Sequence, residues 1–519
     1  MKPLSSGEEL MELAKRRGFL WPSFELYGGA SGFYDFGPLG NVLKNKIVEK
    51  WREHFVRKEG SLEIDSPTLT PEEVFRASGH LEHFVDLMSE CGKCGQPFKV
   101  SELVREKTGL DVEGRPKEEV EALLEERGIT CPDCGGKLGR VFEFNTMFRT
   151  TIGPGGKKVG YLRPETAQGI FVDFRRLWRH GRERLPLPVA QIGKGYRNEI
   201  SPRQGIIRLR EFTMAELEVF FDPRNPTHPS FEKVRGERLR LWRAEDEMRG
   251  EERMVEVSAG EAVERGMVCH QLMAYYLALT KRFLVDLGLP EERLRFREQT
   301  PGQRAHYSRE TWDAEVRTER FGWVEVAGIA YRTDYDLSRH AEASGEDLSV
   351  VLQPEKRKEI CHVVEPSFGI DRIFYCVLET AHLQGKKGLR FKKELSPLEV
   401  GVFPLLRRDH LPEKAREVVE LLRGRGFWAE YDEAGSIGRR YARADEVGTP
   451  YCVTIDHRTL SDGTVTIRER ETARQVRTPL DRLPSVLSSL LRDELKFEEA
   501  GTPLEGKEKG EEEEEGEEG

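Results

Sequence analysis

The segment 188–221 constrains the fold more than any other part of the chain, because it has the pattern of a long β-hairpin. Two runs rich in strand-forming residues, PVAQIGKGYR (188–197) and RLREFTMAELEVFF (208–221), flank the polar segment NEISPRQGII. Consecutive strands joined in this way pair antiparallel. The pattern therefore predicts a fold built around an antiparallel sheet.

One face of this predicted hairpin is charged. Alternate residues along a strand point to the same side, which groups Arg197 with Glu199 on the first strand. The same rule groups, on the second strand, Phe212, Met214, Glu216 and Glu218. Burying unpaired charge is costly, so we expect this face to meet water or a charged ligand. A solvent-exposed face with cross-strand ion pairs is the alternative that the hairpin alone leaves open.

A second segment, EPSFGIDR (365–372), has the pattern of a strand that turns into a helix. Helix N-termini attract anions through their free N–H groups and the helix dipole. Arg372 falls in the first turn, where its planar guanidinium can bind a phosphate oxygen. The alternative is an ordinary helix start with an ion-paired arginine.

Other elements surround these two segments. Residues 222–318 are charged and are expected to form a mostly helical insertion. Several antiparallel strands followed by a buried helix favour an α+β catalytic domain. The remaining elements predicted in this part are helices at 38–57, about 116–127, 165–178 and 369–383 and strands at 62–67, 322–332 and 359–366.

Beyond residue 396 the pattern changes to the order βαβαββα, which indicates a separate α/β domain. We predict the following organisation: 1–90, the N-terminal part of the catalytic domain; 91–140, an insertion with paired cysteines; 141–395, the rest of the catalytic domain; 396–497, the α/β domain; and 498–519, a disordered acidic tail.

Three segments together resemble the signature motifs of the class II aminoacyl-tRNA synthetases. GPLG…KNKIVEKWREHFV…LEIDSPTL (37–69) is similar to motif 1, whose helix and strand build the dimer interface in that family. YRNE…RLREFTMAELE (196–218) is similar to motif 2, and EPSFGIDRIFYCVLE (365–379) is similar to motif 3 with its closing arginine. The motifs stand in the family's order, and no GxxxxGK[ST] sequence offers a competing P-loop.

Within this family the chain most resembles the dimeric glycyl-tRNA synthetases, over residues 1–495. YLRPETAQGIF (161–171) and YRTDYDLSRH (331–340) look specific to that group. GRRYARADEVGTPYCVTI (438–455) resembles the anticodon-binding domain that the glycyl, threonyl, prolyl and histidyl enzymes share. The resemblance implies a class II antiparallel-sheet catalytic domain with insertions, followed by a C-terminal α/β anticodon-binding domain.

The activity that this resemblance implies is ligation of glycine to tRNA(Gly). ATP converts glycine to glycyl-adenylate, and the glycyl group is then transferred to the 3′ end of the tRNA. Both partners of the first step are anionic, so Mg²⁺ and arginine side chains must neutralise charge at the transferring phosphoryl group. The implied partners are ATP, glycine, tRNA(Gly) and a second copy of the chain in a homodimer.

The resemblance also implies roles for individual residues at the ATP site. Arg197 would hold the α-phosphate, Glu199 the adenine amino group or a metal ion, and Arg372 the γ-phosphate; these three form the catalytic set. Phe212 would stack on adenine. The other residues implied at the ATP site are Asn198, Ile207, Arg208, Leu209, Arg210, Glu211, Glu325, Val326, Gly369, Ile370 and Asp371.

For the amino acid, the resemblance implies a pocket formed mainly by Glu165, Glu216, Glu365 and Ser367. Three carboxylates suit the ammonium group of glycine. A pocket with no room for a side chain refuses larger amino acids by direct clash, so an editing domain is not required. The other residues implied around glycine are Lys99, Phe212, Thr213, Met214, Ala215, Pro366, Phe368 and Gly369.

Two CxxC pairs, Cys91/Cys94 and Cys131/Cys134, stand 36 residues apart. Four thiolates in two such turns suit a tetrahedral, structural Zn²⁺, which would shape a lobe near the tRNA acceptor end. Four reduced cysteines without a metal are the alternative. The remaining cysteines lie in apolar segments and are expected to be small core residues: Cys269, Cys361, Cys376 and Cys452.

The amino-acid composition excludes only a few classes of protein. Charged residues make up 34% of the 519 positions, and no apolar run approaches the roughly 20 residues that cross a bilayer. The N-terminus has no apolar signal segment, so we expect a cytoplasmic protein without membrane contact. The net charge is −10, of which residues 505–519, with nine Glu and two Lys, contribute −7.

The rest of the chain is nearly neutral, so RNA contact must come from local arginines. Arg439, Arg440 and Arg443 cluster with Tyr441 at one predicted helix start, a combination that suits stacking on splayed bases. An ordinary arginine-rich surface helix has the same pattern.

Two other functions compete at this point. A synthetase-like binding module without catalysis would have lost the motif arginines, whereas Arg197 and Arg372 are both present. A synthetase for threonine, serine, proline or histidine shares the three motifs, although the zinc ligands that threonine selection calls on do not stand out near the pocket. Pyrophosphate exchange with a panel of amino acids separates these functions.

Overall fold

A computed structural model describes residues 6–110, 112, 114–200, 202, 205–384 and 388–504. They form two compact units. One comprises Pro22–Asp35 and Val48–Tyr375; the other comprises the described residues up to Trp21, Phe36–Ile47 and the described residues from Cys376 onward. None of the described helices has the length and apolar character that crossing a bilayer requires.

A nine-stranded sheet lies within the first unit. Its strands are β1 (Leu62–Ile64), β2 (Leu187–Tyr196), β3 (Glu211–Phe221), β4 (Arg238–Trp242), β5 (Met254–Ser258), β6 (Leu294–Glu298), β7 (Glu310–Thr318), β8 (Gly322–Thr333) and β9 (His362–Gly369). They lie in the order β5-β4-β6-β7-β8-β9-β3-β2-β1, and all neighbours are antiparallel except β1 with β2 and β4 with β6. The predicted α+β fold with an antiparallel sheet is confirmed.

Helices and smaller strands complete this unit. Its helices are Glu72–Ala77, His80–His83, Val100–Thr108, Lys117–Glu126, Ala167–Val172, Phe174–His180, Ala244–Met248, Ala259–Glu264, Gln271–Asp286 and Tyr335–Ser344. Its smaller strands are Leu69–Pro71, Val85–Glu90, Pro97–Lys99, Phe142–Asn145, Arg149–Ile152, Lys158–Leu162, Val350–Leu352 and Arg357–Glu359. Two further helices, Pro38–Arg52 and Ile370–Gln384, have residues in both units.

An aromatic cluster anchors one side of β9. The ring of Phe368 lies 4.7 Å from that of Phe55, 5.6 Å from that of Phe283 and 6.0 Å from that of Trp51. All four side chains are fully buried. Because neighbouring residues of a strand face opposite sides, this packing turns Ser367 to the other face of the sheet.

The expectation of a mostly helical insertion at 222–318 is wrong. This segment, which is described throughout, contains strands β4 to β7 as well as three of the α-helices. Its charges obscured the strands, because several are paired inside the sheet. The buried Arg295 guanidinium lies between the rings of Trp242 (4.6 Å) and Trp323 (4.0 Å) and donates to the Glu315 carboxylate.

The second unit contains a six-stranded sheet in the order Ala429–Tyr431, Val400–Pro404, Tyr451–Ile455, Thr464–Glu469, Gln475–Pro479 and Thr502–Pro503. The first three strands are parallel and the others antiparallel. Its helices are Ser6–Arg16, Leu411–Gly424, Ile437–Val447, His457–Asp462 and Leu483–Leu491. The short strands Leu20–Pro22 and Tyr34–Phe36 have residues in both units. The predicted C-terminal α/β fold is confirmed, and the structure adds to the predicted order the short helix His457–Asp462 and the strands Gln475–Pro479 and Thr502–Pro503.

The predicted disordered tail is wrong for residues 498–504. Phe497 is buried and stacks on Tyr451, with ring centroids 6.2 Å apart. The strand Thr502–Pro503 then pairs with the edge strand Gln475–Pro479, so ordinary sheet pairing extends past the predicted boundary. Residues 505–519, which carry most of the acidic run, lie outside the described residues. The other predicted domain bounds stay predictions.

Two further expectations need correction. Arg440 is buried and donates to the backbone oxygens of Pro404 and Gly435, and Arg443 is paired with Asp432. The predicted base-stacking cluster is therefore in large part structural, and Arg439 is its exposed arginine.

Of the four scattered cysteines, three are buried as expected, but Cys269 is exposed because it lies in the turn before the helix Gln271–Asp286.

Candidate active site

Three neighbouring strands, β8, β9 and β3, bring together segments that are far apart in the sequence. In the register of β3 with β9, Glu216 lies opposite Ser367. In the register of β9 with β8, Ser367 lies opposite Gly328 and Glu365 opposite Ala330. Sheet pairing therefore places the polar residues of motifs 2 and 3 side by side.

The hairpin predicted at 188–221 is present, but its first strand ends one residue earlier than expected and its second strand begins three residues later. Strand β2 ends at Tyr196, so Arg197 and Glu199 follow the strand instead of alternating along it. Glycine is required at position 195, because a Cβ atom there would lie 2.7 Å from the ring of Phe212. The close approach lets the Phe212 ring lie against β2.

A cavity of about 230 Å³ opens on this face of the sheet. It brings together seventeen of the predicted site residues: Glu165, Arg197, Glu199, Ile207, Arg208, Leu209, Phe212, Thr213, Met214, Glu216, Glu325, Val326, Glu365, Ser367, Gly369, Asp371 and Arg372. The motif 2 and motif 3 arginines thus face one shared space, as the resemblance implies.

Eight predicted residues do not line this cavity. Ala215, Pro366 and Phe368 alternate to the other side of their strands, and Ile370 is fully buried in the motif 3 helix. Side-chain partners elsewhere hold Lys99, which pairs with Asp86 at 2.9 Å, Glu211, which pairs with Lys194, and Arg210. The backbone N–H of Asn198 donates to Thr146.

The two motif arginines mark one end of the cavity. The Arg197 guanidinium lies 5.5 Å from the Phe212 ring and 5.4 Å from the Phe84 ring. Its buried Nε has no hydrogen-bond partner among the described residues, which suits an incoming anion. Arg372 donates from Nε to the backbone oxygen of Ile207 (3.0 Å) and from Nη1 to that of Glu325 (2.9 Å).

Acidic side chains stand near the same end. Glu325 Oε2 lies 3.3 Å from Arg372 Nη1. Asp313 on β7 also lines the cavity and accepts a hydrogen bond from Gln299 at 2.8 Å. Burial, and then the neighbouring Glu325 carboxylate, raises the pKa of Asp313 well above its ordinary value. Asp313 is not among the predicted site residues, because it lies in the segment interpreted as a helical insertion.

The other end of the cavity is a buried acidic pocket centred on Glu216. Its Oε1 accepts from the Ser367 hydroxyl at 2.7 Å, and its Oε2 accepts from the Thr166 backbone N–H at 2.6 Å. Burial, and then the nearby Glu165 carboxylate, raises the pKa of Glu216. The charged face of the hairpin is therefore not solvated, and hydrogen bonds from the protein satisfy this carboxylate.

Arg332 on β8 is the cation of this pocket, and sequence analysis assigned it no role. It is fully buried. Its Nη1 donates to both oxygens of Glu365 at 2.9 Å, and Nε and Nη2 donate to Asp336 at 2.7 and 2.9 Å. The guanidinium also stacks 3.6 Å from the Tyr307 ring centre. Burial raises the pKa of Glu365 to about 8, although Arg332 acts against this rise.

Glu165 is held by three groups. His80 Nε2 lies 3.2 Å and Arg332 Nη2 3.5 Å from Glu165 Oε1, which also accepts from Gln168 at 3.0 Å. Burial alone would raise the pKa of Glu165, but His80 and then Arg332 reverse this, and the net pKa is below its ordinary value. Glu165 is therefore the pocket's firmly ionised carboxylate.

Glu218 differs from these three carboxylates. It is fully buried, and neither of its carboxyl oxygens has a hydrogen-bond partner among the described residues. Burial, and then Glu365, raises the pKa of Glu218 well above its ordinary value. The carboxyl is therefore protonated at neutral pH, because an unpaired buried charge is too costly.

The pocket as a whole carries excess negative charge. Glu218 is neutral, but Arg332 faces the buried carboxyl groups of Glu165, Asp336 and Glu365, and Arg163 acts electrostatically on Glu216, so the carboxyl groups outnumber the arginines. Such a site favours a small cation such as an ammonium group. Arg332 and Asp336 lie in the segment 331–340, and Thr166 and Gln168 lie in 161–171. In the sequence both segments resemble stretches specific to the glycyl-tRNA synthetases. That resemblance is the signal from which these residues could have been predicted.

The four cysteines of the CxxC pairs form a second centre, away from this cavity. Their Sγ atoms lie within 4.8 Å of one another, with Cys91 and Cys134 3.5 Å apart and Cys94 and Cys131 3.7 Å apart. Four sulfurs bound at about 2.3 Å to one zinc ion are about 3.8 Å apart, so the arrangement fits a tetrahedral site. Backbone N–H groups of Cys94 and Lys93 lower the pKa of Cys91 to about 6.

Comparison with known families supports this geometry. Residues 154–381 match the model described as "tRNA synthetase class II core domain (G, H, P, S and T)", and residues 399–490 match the model described as "Anticodon binding domain". The structure also resembles a Giardia lamblia prolyl-tRNA synthetase in complex with prolyl-adenylate, with a TM-score of 0.57 and 14% identity over 92% of this chain and 74% of that chain. This last likeness concerns the fold alone.

Sequence relatives are much more similar. A protein named glycine--tRNA ligase from Pyrococcus horikoshii is 47% identical, over 93% of this chain and 98% of its own length. One of the same name from Methanocaldococcus jannaschii is 44% identical, over 94% of this chain and 99% of its own length. A third, from Methanothrix thermoacetophila, is 45% identical over 96% of this chain and 99% of its own length.

Proposed function

The chain belongs to the glycine--tRNA ligase family of the class II aminoacyl-tRNA synthetases, and from this premise we propose that it activates glycine with ATP and transfers it to the 3′ end of tRNA(Gly). The observation that carries the proposal is one cavity with the motif arginines Arg197 and Arg372 at one end and a buried acidic pocket at the other. The arginine end complements the negative charge of a triphosphate, and the acidic end complements the positive charge of an ammonium group. A cytoplasmic location, where tRNA is charged for translation, is part of this proposal.

In the first step, a carboxylate oxygen of glycine attacks the α-phosphorus of ATP, and pyrophosphate leaves. We assign Arg197 to the α-phosphate and Arg372 to the γ-phosphate. Arg372 donates to two backbone oxygens, and these bonds hold its guanidinium at the cavity wall. Mg²⁺ would supply further positive charge to the phosphates, and Glu199 and Glu325 are the cavity carboxylates suited to hold it. Phe212 would stack on adenine.

In the second step, a hydroxyl at the 3′ end of the tRNA attacks the carbonyl carbon of glycyl-adenylate, and AMP leaves. The protein supplies no nucleophile to either step, so its contribution is positioning and charge stabilisation. The domain matching residues 399–490 would bind the anticodon.

Glycine would bind with its ammonium group among Glu165, Glu216 and Ser367. Glu216 and Ser367 are already bonded to each other across adjacent strands at 2.7 Å, so their positions are set before the ligand arrives. Binding a pre-formed pocket avoids the cost of ordering side chains. A pocket wall that lies against the α-carbon of bound glycine would refuse alanine and serine by direct clash with their side chains.

Two further features belong to the proposal. Zn²⁺ bound by Cys91, Cys94, Cys131 and Cys134 would stabilise the surrounding lobe, because the spacing of the sulfurs fits one tetrahedral ion. A homodimer would cover the segment around Leu26 and Tyr27, whose side chains are 89% and 86% exposed and stand next to the half-exposed Phe24. Adjacent exposed apolar side chains of this kind mark interfaces. Light scattering after size exclusion tests the dimer.

Pyrophosphate exchange tests the proposed function. We expect exchange that depends on glycine and that is absent with alanine, serine, threonine, proline and histidine. Arg372→Ala should lower the exchange rate at least about 100-fold, because removing one charge-stabilising donor typically costs that much, without changing the thermal midpoint. Exchange with another amino acid, or an unaltered rate in Arg372→Ala, would contradict the assignment.

A further inference from the structure

The motif 2 loop has a contact outside the nucleotide cavity. The Arg208 guanidinium donates to the carboxylate of Glu102, with which it forms an ion pair. Glu102 lies in the first turn of the helix Val100–Thr108. This helix belongs to a segment that we call the cysteine lobe, residues 85–145, which carries both CxxC pairs. A residue of the lobe therefore holds a residue of the cavity wall.

The helix that carries Glu102 is firmly placed within the lobe. Val100, Leu103 and Val104 are buried in one hydrophobic core together with Cys91 and Cys131. Burial of this face leaves the opposite side of the first turn, with Glu102, directed out of the core. The position of the Glu102 carboxylate is therefore set by the same packing that sets the cysteines.

Arg208 stands where nucleotide is expected. It lines the cavity, and its Nε lies 4.0 Å from Glu199 Oε2. Burial opposes the charge of Arg208, but Glu102 and Glu199 offset this, and the pKa of Arg208 is raised. Its neighbour Arg210 has a different task, because its guanidinium donates to the backbone oxygens of Glu199 and Ser31. Arg210 braces the loop from within, whereas Arg208 connects it to the lobe.

We propose that Glu102 is a positioning residue for Arg208, which it holds at the cavity wall before ATP binds. The inference rests on the proposed function, since it needs nucleotide in this cavity. An arginine that is already ordered does not have to be immobilised during binding, and each immobilised side chain weakens binding by about two- to tenfold. The cysteine lobe thereby contributes to ATP affinity through one ion pair, without contacting substrate.

Glu102→Gln tests this role, because it keeps the shape of the side chain and removes its charge. In glycine-dependent exchange we expect KM for ATP to rise about fivefold, while KM for glycine and kcat stay within about twofold. Glu102→Asp, which retains the charge, should restore part of the affinity. Glu106→Gln is the matched control, because Glu106 lies on the same helix and is exposed.

A second measurement separates positioning from a structural effect. In the Arg208→Ala background, Glu102→Gln should no longer change KM for ATP, because its target has been removed. Three results would overturn the proposal. They are an undiminished rise in KM for ATP when Glu102→Gln is added to Arg208→Ala, an equal rise in KM for glycine in Glu102→Gln, and unchanged kinetics of Glu102→Gln. If the wild-type chain lacks exchange activity, the proposed function is refuted, but the role of Glu102 is not. In that case calorimetry of ATP binding without glycine makes the same comparison between the variants.

Discussion

Replacing Arg332 by glutamine probes the charge balance of the acidic pocket directly. Four hydrogen bonds from this buried guanidinium reach Glu365 and Asp336, and Glu165 lies 3.5 Å away. A glutamine amide can replace at most two of the donors and none of the charge. The variant therefore leaves buried carboxylates without their counter-ion.

The size of the effect follows from the burial of the partners. Breaking a buried ion pair by removing one member costs about 3–5 kcal/mol, because the remaining charge is uncompensated. A loss of this size lowers the thermal midpoint of the unit by on the order of 5–10 °C. Arg224→Gln is a suitable control, because the Arg224 side chain is 72% exposed and its paired carboxylate, in Glu359, is 4.0 Å away. Its expected change is within about 1 °C.

The loss should also depend on pH. Burial already raises the pKa of Glu365 to about 8, and Arg332 acts against that rise, so in the variant the folded-state pKa is higher still. A carboxyl with a raised folded-state pKa contributes stability below its unfolded pKa, near 4.5, and loses it as pH increases. Because Glu365 keeps its proton in both folded proteins below about pH 8, its share of the loss appears only as pH rises through that value. The loss in the variant should therefore be larger at about pH 9.5 than at about pH 6.

Scanning calorimetry or circular dichroism at both pH values measures this difference. Adding Asp336→Asn to Arg332→Gln should recover part of the lost stability at about pH 9.5, because one of the orphaned charges is removed. A midpoint within about 1 °C of wild type at about pH 9.5, or a loss that is equal at both pH values, would refute the view that Arg332 neutralises this pocket.

Three other changes have defined outcomes. Glu216→Gln should raise KM for glycine at least about tenfold, since a hydrogen bond to a charged group is lost, and leave ATP binding in calorimetry nearly unchanged; equal loss of both would count against its place in the glycine pocket. Glu218→Gln should flatten the decline in stability above pH 4.5, because wild type loses stability as pH rises from the unfolded pKa of Glu218 towards its raised folded-state pKa. An unaltered pH profile of unfolding would show that Glu218 is not protonated. Cys94→Ser should reduce zinc, measured by plasma emission, from about one ion per chain to much less and lower the thermal midpoint, whereas equal metal content in both proteins would exclude a four-cysteine site.

The sequence predicted the framework of the site because motif residues lie on regular elements. Glu216 and Ser367 follow strand alternation, and the two strands pair in a register that makes them neighbours. The same rule failed for Arg197 and Glu199, because β2 ends at Tyr196 and residues beyond a strand end no longer alternate. Periodicity describes elements, and the positions of their ends depend on tertiary contacts.

The insertion at 222–318 was misinterpreted for a related physical reason. A charged residue in a periodic pattern indicates solvent, and Arg295, with its aromatic and carboxylate neighbours, breaks that rule by pairing inside the sheet. Such pairing needs a partner from a distant strand, which a local window does not contain. As a result, Asp313 was not predicted as a site residue, because its position in the cavity follows only from the assignment of β7 as a strand.

The acidic pocket shows why burial and function coincide here. Burying Glu216 and Glu218 costs stability, and packing alone would favour apolar residues at both positions. The protein satisfies Glu216 through Ser367 and Thr166, ionises Glu165 beside His80 and Arg332, and leaves Glu218 to be neutralised by a proton. Each carboxyl is thus stabilised by a different means, and together they retain an excess of negative charge. An ammonium ligand offsets that excess without needing any side chain of its own, which is the combination that glycine offers.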